Sequence, residues 1–139
     1  MSKEVFEIPK QLPVMTLRGI VLFPKAMMPL RIFEERYRQM LDEVLSSTRI
    51  FGIVCERENV SEEEAHMEHP FDVATAGLIR VSKKHEDGTS FVLLQGIKRV
   101  KVRSISQELP YRIIETEEIE SIRDDASSNL RKEISQALF

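Results

Sequence analysis

Apolar residues along this chain mostly recur at every second position or in short unbroken runs, a pattern that predicts mainly β-structure. The predicted strands span residues 11–17, 20–23, 30–33, 50–55, 73–84, 90–105 and 111–119. Pro13 assigns the first strand to a sheet edge or a strand start, because proline cannot donate a hydrogen bond within a sheet. Asp87-Gly88 is a strong hairpin signal, so the strands that flank it are expected to pair antiparallel.

One segment, residues 34–45, instead carries its apolar residues at helical spacing and predicts an amphipathic helix. A second apolar stripe predicts a helix over 124–139 that lacks a stop signal. We therefore expect that the chain is part of a longer protein or that this helix docks on a partner. The order of elements shows no regular strand–helix alternation, which favours a mainly antiparallel β-barrel with helices packed on it.

Composition excludes several classes of protein. Of the 139 residues, 42% are apolar and 31% are charged, which excludes a wholly disordered chain. A net charge of −3 excludes a bulk polycation, and a single cysteine excludes an intramolecular disulfide framework. The apolar runs are far shorter than the roughly 20 residues of a membrane span, and the first residues lack a signal-peptide pattern. A soluble, cytoplasmic domain is the expectation.

The sequence offers little catalytic chemistry. The motif Gly-x-x-x-x-Gly-Lys-Ser/Thr of nucleotide-binding loops is absent. Cys55 lies in an apolar strand, which predicts a buried, inert thiol. The nearest approach to a metal site is the pair His66 and His69, but Pro70 follows at once and the acidic segment 57–69 is predicted to be a loop without a rigid frame. We expect neither catalytic residues nor a metal or other cofactor.

Basic residues concentrate on the hairpin predicted at residues 73–105. Residues 76–106 contain seven Lys or Arg residues and two acidic ones. Alternation with valines predicts that the basic side chains face outward along one ribbon. The candidate residues are Arg80, Lys84, Arg99, Lys101 and Arg103. Such a ribbon could bind RNA phosphates or an acidic protein partner, or could be an ordinary solvated strand face that limits sheet association.

Two adjacent methionines suggest a different kind of site. Met27 and Met28 lie between two prolines, and methionine side chains suit the binding of varied apolar segments. Together with Phe33 and Tyr37 they could line a groove for a peptide. The alternative is that both methionines fill the end of the barrel. Addition of an extended peptide to a sheet edge is a related possibility.

A resemblance to a known family rests on a series of short motifs. They are Leu12-Pro13, Leu17-Arg18, Leu22-Phe23-Pro24, Pro29-Leu30, Ile32-Phe33-Glu34 and Arg36-Tyr37, followed by matching segments as far as residue 119. In this order and spacing they resemble the N-terminal, substrate-binding domain of the Lon protease family. The chain departs from the family pattern at Thr16, where proline is usual, and at Lys25, where glycine is common.

The resemblance implies a fold and a function. The fold would be mainly β (α+β), a PUA-like six-stranded pseudo-barrel with one helix packed after the third strand and a C-terminal helix. Residues 1–120 would form this domain and 121–139 the start of a helical extension. The family domain is not catalytic and is thought to help recognise unfolded or degron-bearing polypeptides. No membrane association is expected, because the apolar runs are short. The motifs are more similar to those of stand-alone Lon-domain proteins and of cereblon than to the full-length protease. An RNA-binding PUA-like domain is the alternative.

Overall fold

The chain folds around a single β-sheet, as shown by a computed structural model that describes residues 6–56 and 73–119. The elements are β1 (Gln11–Arg18), β2 (Met27–Ile32), α1 (Glu35–Leu45), β3 (Ile50–Glu56), β4 (Val73–Lys84), β5 (Ser90–Gln107) and β6 (Ile113–Glu118). The predicted mainly β fold is confirmed. The predicted loop 57–69, the helix 124–139 and the boundary after residue 120 fall outside the described residues and stay predictions.

The six strands form one sheet that closes into an uneven ring. Their order is β2-β5-β4-β3-β1-β6, and β5 pairs with β6 as well, so that five strands close the ring. β2 lies outside it, along the first part of β5. The pairing of β1 with β3 is parallel and the other pairings are antiparallel. The parallel pair needs a long connection, which β2 and α1 provide.

Each face of the sheet carries its own apolar core. All five ring strands contribute to one cluster, which therefore fills the ring. The other cluster, called the outer core, joins α1 and β2 to the outside of the ring, and Phe51 of β3 is fully buried in it. On α1 the buried residues are Tyr37, Met40, Leu41 and Val44. These positions confirm the apolar stripe that predicted the helix.

β5 serves both cores because its two halves present opposite faces. Leu94 packs in the outer core and Val100 packs inside the ring. The two residues are six positions apart, so in a regular strand both side chains would lie on the same face. The reason that they do not is a register shift against β4, where Ala76 pairs with Lys98 but Gly77 pairs with Gly96. Such a bulge adds one residue to one strand and reverses which side chains face inward beyond it.

Two local predictions from sequence were wrong. Residues 20–23 form no strand, because only Leu22 of this apolar run is buried and its neighbours on both sides are exposed. The predicted loop 25–29 is in part strand, since β2 begins at Met27. As a result α1 follows the second strand of the chain and not the third. The hairpin prediction is confirmed, with Gly88 at a φ of 90° between β4 and β5.

Candidate functional site

The segment between β1 and β2, residues 19–26, is called the β1–β2 loop here and displays apolar side chains to solvent. Ile20 is 51% exposed, Val21 50% and Phe23 43%. Scattered single apolar residues on a surface are ordinary, but three in four successive positions are not. Exposed apolar surface of this kind marks an interaction site or an aggregation hazard.

The backbone of the β1–β2 loop is held at several points. Leu22 is 2% exposed and plugs into the outer core. The Thr75 hydroxyl, itself buried, donates a hydrogen bond to the Leu22 carbonyl at 2.8 Å. The Lys25 N–H donates to the Gly96 carbonyl at 2.6 Å, and the Gly96 N–H donates to the Ala26 carbonyl at 2.9 Å. The exposed side chains are therefore displayed by an ordered segment.

Gly96 allows the loop to approach β5 closely. A Cβ atom at this position would lie 2.3 Å from the Phe23 carbonyl oxygen, far inside contact distance. The obstacle would be backbone, which cannot rotate away as a side chain can. Glycine at position 96 is therefore what brings Phe23 and its neighbours onto the sheet.

A cleft of about 250 Å³ lies beside the loop, on the outside of the ring. Its lining residues are Val21, Leu22, Ile53, Cys55, Val73, Thr75 and Arg99. The walls are mainly apolar, and Val73 is 44% exposed. The Arg99 guanidinium lies 5.3 Å from the centre of the Phe23 ring, so a cation borders the apolar surface. Cys55, predicted as a buried thiol, is partly exposed here instead.

The four methionine and aromatic candidates do not form one groove. Met28 and Tyr37 are buried in the outer core, at 9% and 5% exposure. Met27 and Phe33 are exposed, at 46% and 59%. Met27 begins β2 and Phe33 follows its last residue, so the two lie about 20 Å apart along the chain, at roughly 3.3 Å per residue. Their role in peptide binding stays a prediction, but it would have to involve two separate surfaces.

The five basic candidates are likewise not gathered into one stripe. Arg80 lies at a register shift of β4, where its Nε donates to the Gln95 side chain at 2.7 Å. Lys84 pairs with Ser90 at the far end of the hairpin. Arg99, Lys101 and Arg103 follow the bulge in β5, beyond which the strand presents its opposite face.

Acidic residues of β6 border the basic half of β5. Lys101 pairs with Glu117 in the strand register, and Lys98 forms an ion pair with Glu118. The hydrogen bond from Lys98 holds the pKa of the Glu118 carboxyl below its ordinary value. Because opposite charges alternate across β5 and β6, this surface is not a uniformly positive track for phosphates. The RNA-binding alternative is not favoured.

Two features are absent from the residues that the structure describes. Within 6–56 and 73–119, no cluster of three or more His, Cys, Asp or Glu side chains has the arrangement of a metal site. The pair His66 and His69 lies outside these ranges. No helix in the described part of the chain is long and apolar enough to span a membrane.

The fold places the chain among mainly β domains built on a closed ring of strands. A family model described as the ATP-dependent protease La (LON) substrate-binding domain matches residues 11–139. The chain belongs to this family, and the resemblance drawn from the sequence motifs is confirmed. The match is to the substrate-binding domain and includes neither the ATPase nor the protease domain of Lon.

Individual relatives agree with this assignment. Lon protease 2 of Syntrophobacter fumaroxidans is 32% identical over 122 residues, which are 88% of this chain and 15% of that protein. The Lon protease of Cytophaga hutchinsonii is 28% identical over 138 residues, 99% of this chain and 17% of that protein. This chain therefore spans only about one-sixth of the length of these curated relatives.

Solved structures support the fold. A Lon N-terminal domain protein from Xanthomonas campestris has a TM-score of 0.63 at 23% identity, covering 82% of this chain and 63% of that one. The N-terminal domain of a Mycobacterium avium complex Lon protease has a TM-score of 0.60 at 16% identity, covering 93% and 66%. At these identities the likeness concerns the fold.

Sequence reasoning missed the exposed residues of the β1–β2 loop. The run Gly-Ile-Val-Leu-Phe-Pro is apolar throughout and predicts a short strand over 20–23. One signal against a strand was available, because Gly19 and Pro24 bound the run and make it too short for a paired strand of ordinary length. No pattern in the sequence indicates that Leu22 alone turns inward.

Proposed function

We propose that this chain is a non-catalytic polypeptide-recognition module that binds exposed apolar segments of unfolded or degron-bearing proteins through the β1–β2 loop and the cleft beside it. Membership of a family of substrate-binding domains supports protein substrates. The observation that carries the proposal is the display of Ile20, Val21 and Phe23 on a loop held by backbone hydrogen bonds. We also propose that it acts in the cytoplasm.

The chemistry of this surface suits loose recognition of apolar side chains. Val21 and Val73 flank the cleft and Ile53 forms part of its floor, so an apolar side chain could be buried between them. Burying apolar surface contributes a favourable free energy of roughly 25 cal/mol per Å², and this contribution does not require a particular orientation of the groups in contact. Ordering an unfolded chain opposes binding, so weak affinity for many sequences is expected.

The test is an amide chemical-shift titration of the whole chain with a permanently unfolded polypeptide, reduced and alkylated. We expect shifts localised at residues 19–26 and at Val73. Val21→Ser and Phe23→Ser should each weaken binding several-fold while leaving the melting temperature nearly unchanged, because both side chains are about half exposed in the free protein.

Met27→Ser is the matched control, since Met27 is 46% exposed on β2, outside the loop. It should leave binding intact. Shifts centred on Met27 or Phe33 would move the site to the surfaces indicated by the sequence. An absence of localised shifts in the folded protein would reject the proposed site altogether.

A further inference from the structure

A second cleft, of about 480 Å³, brings together three arginines from three different elements. Arg18 ends β1, Arg36 lies in the first turn of α1, and Arg112 immediately precedes β6. The remaining lining residues are Val14, Thr16, Tyr37, Glu108 and Leu109. This cleft shares no lining residue with the cleft beside the β1–β2 loop.

Arg36 and Arg112 each contact a carboxylate at the surface. Arg36 Nε lies 2.8 Å from Glu34 Oε2, and Arg112 Nε lies 3.2 Å from Glu108 Oε2. The Glu34 hydrogen bond raises the pKa of Arg36, which therefore stays cationic. These side chains are roughly one-third to two-thirds exposed, and ion pairs in such surroundings contribute little and rearrange readily. The residues that line the cleft include three arginines and one glutamate.

The lining of the cleft also includes the hydroxyl group of a tyrosine, Tyr37. Tyr37 is 5% exposed, and its oxygen accepts a hydrogen bond from the Thr16 N–H at 3.4 Å. Tyr37 lines the cleft, so its hydroxyl proton is available for donation to a ligand there. The Arg36 guanidinium lies 4.5 Å from the centre of the Tyr37 ring, so the two side chains are in contact at the cleft.

We propose that this cleft binds a phosphate group, either as inorganic phosphate or as the phosphoryl group of a small phosphate monoester. Planar guanidinium groups match the oxygens of phosphate with paired hydrogen bonds. A carboxylate ligand would need only one arginine, as the contact between Glu108 and Arg112 illustrates. Three arginines and a tyrosine hydroxyl around one cleft instead suit a dianion with several acceptor oxygens.

The experiment titrates the whole chain with inorganic phosphate at constant ionic strength and follows the arginine Nε–H signals. Saturable shifts are expected at Arg18, Arg36 and Arg112. Arg36→Gln and Arg112→Gln should each weaken binding about tenfold, as the loss of a charge-assisted hydrogen bond implies. Glu108→Gln should strengthen it, because it removes the carboxylate that competes for Arg112. Melting temperatures of the variants show whether each remains folded.

Arg103→Gln is the matched control, since Arg103 is an exposed arginine of β5 that does not line the cleft. It should bind phosphate as the unchanged chain does. Equal weakening in Arg103→Gln would show general charge screening and overturn the site, as would linear, unsaturable shifts. Glycerol phosphate should bind comparably if the phosphoryl group is what is recognised. Equal or tighter binding of a dicarboxylate would overturn the assignment to phosphate.

Discussion

The β1–β2 loop and strand β2 follow one another along the chain and are both apolar, yet different causes decide which of their side chains are exposed. In β2 burial alternates, so Met28 and Ile32 face the core while Met27 and Arg31 face solvent. In the loop, Leu22 is the one fully buried residue of the apolar run 20–23. The exposure of Met27 follows from the pleat of a strand, whereas that of Val21 follows from specific tertiary contacts.

This difference separates two kinds of exposed apolar residue. A strand outside the ring has one face in solvent, so an exposed methionine there needs no functional explanation. The loop has no pleat, and its conformation depends on contacts with β4 and β5 through Thr75 and Gly96. Because these contacts hold apolar side chains in water, we consider the loop a better candidate for a binding surface than β2.

The largest expected effect comes from removing the close approach of the loop to β5. Gly96→Ala would place a Cβ atom 2.3 Å from the Phe23 carbonyl oxygen, so the loop must leave the sheet or the strand must bend. We expect a loss of about 3 kcal/mol in the free energy of unfolding, at the upper end for overpacking. Urea denaturation measures it.

Gly52→Ala serves as the comparison for that variant. The new Cβ would meet only side-chain atoms, with Leu12 Cδ2 at 2.8 Å and Val14 Cγ1 at 2.9 Å. Side chains can shift, so a smaller loss of about 1 kcal/mol is expected. If Gly52→Ala were the more damaging of the two, the contact between Phe23 and Gly96 would not be what holds the loop.

The two methionines of β2 should differ strongly in their effect on stability. Met28→Ser removes a side chain buried in the outer core and should cost about 2 kcal/mol or more. Met27→Ser removes a half-exposed side chain and should change stability by less than about 0.5 kcal/mol. Thermal denaturation of both variants checks this. Similar melting temperatures would contradict the alternation assigned to β2.

A smaller loss is expected from the hydrogen bond that ties the loop to β4. Thr75→Val keeps the shape of the side chain but removes the hydroxyl that donates to the Leu22 carbonyl at 2.8 Å. A buried carbonyl without its donor costs about 1–2 kcal/mol. Amide hydrogen exchange of Lys25 and Ala26 should accelerate along with this loss. Unchanged exchange would show that Thr75 stabilises the sheet but not the loop.

The sequence predicted the elements whose burial follows a regular period. The stripe on α1, the apolar strand β3 and the hairpin at Gly88 agree with the sequence predictions, because period and turn residues are local signals. It could not predict that β5 changes face near Gly96, since that depends on pairing with β4. For the same reason Arg80 and Arg99 were placed on one ribbon, and Ile20, Val21 and Phe23 were assigned to a strand.

The smallest effect concerns the backbone of the loop itself. Lys25 has a φ of 72°, a left-handed conformation that costs a residue with a side chain about 1–2 kcal/mol. Lys25→Gly removes this strain, but glycine also gains freedom in the unfolded chain, so a net stabilisation of about 0.5 kcal/mol is expected. Gly19→Ala, at a φ of 68°, should have the opposite sign. Since the hydrogen bond of Lys25 to the Gly96 carbonyl comes from the backbone N–H, which glycine keeps, polypeptide binding should survive in Lys25→Gly. Loss of binding there would mean that the lysine side chain itself belongs to the site.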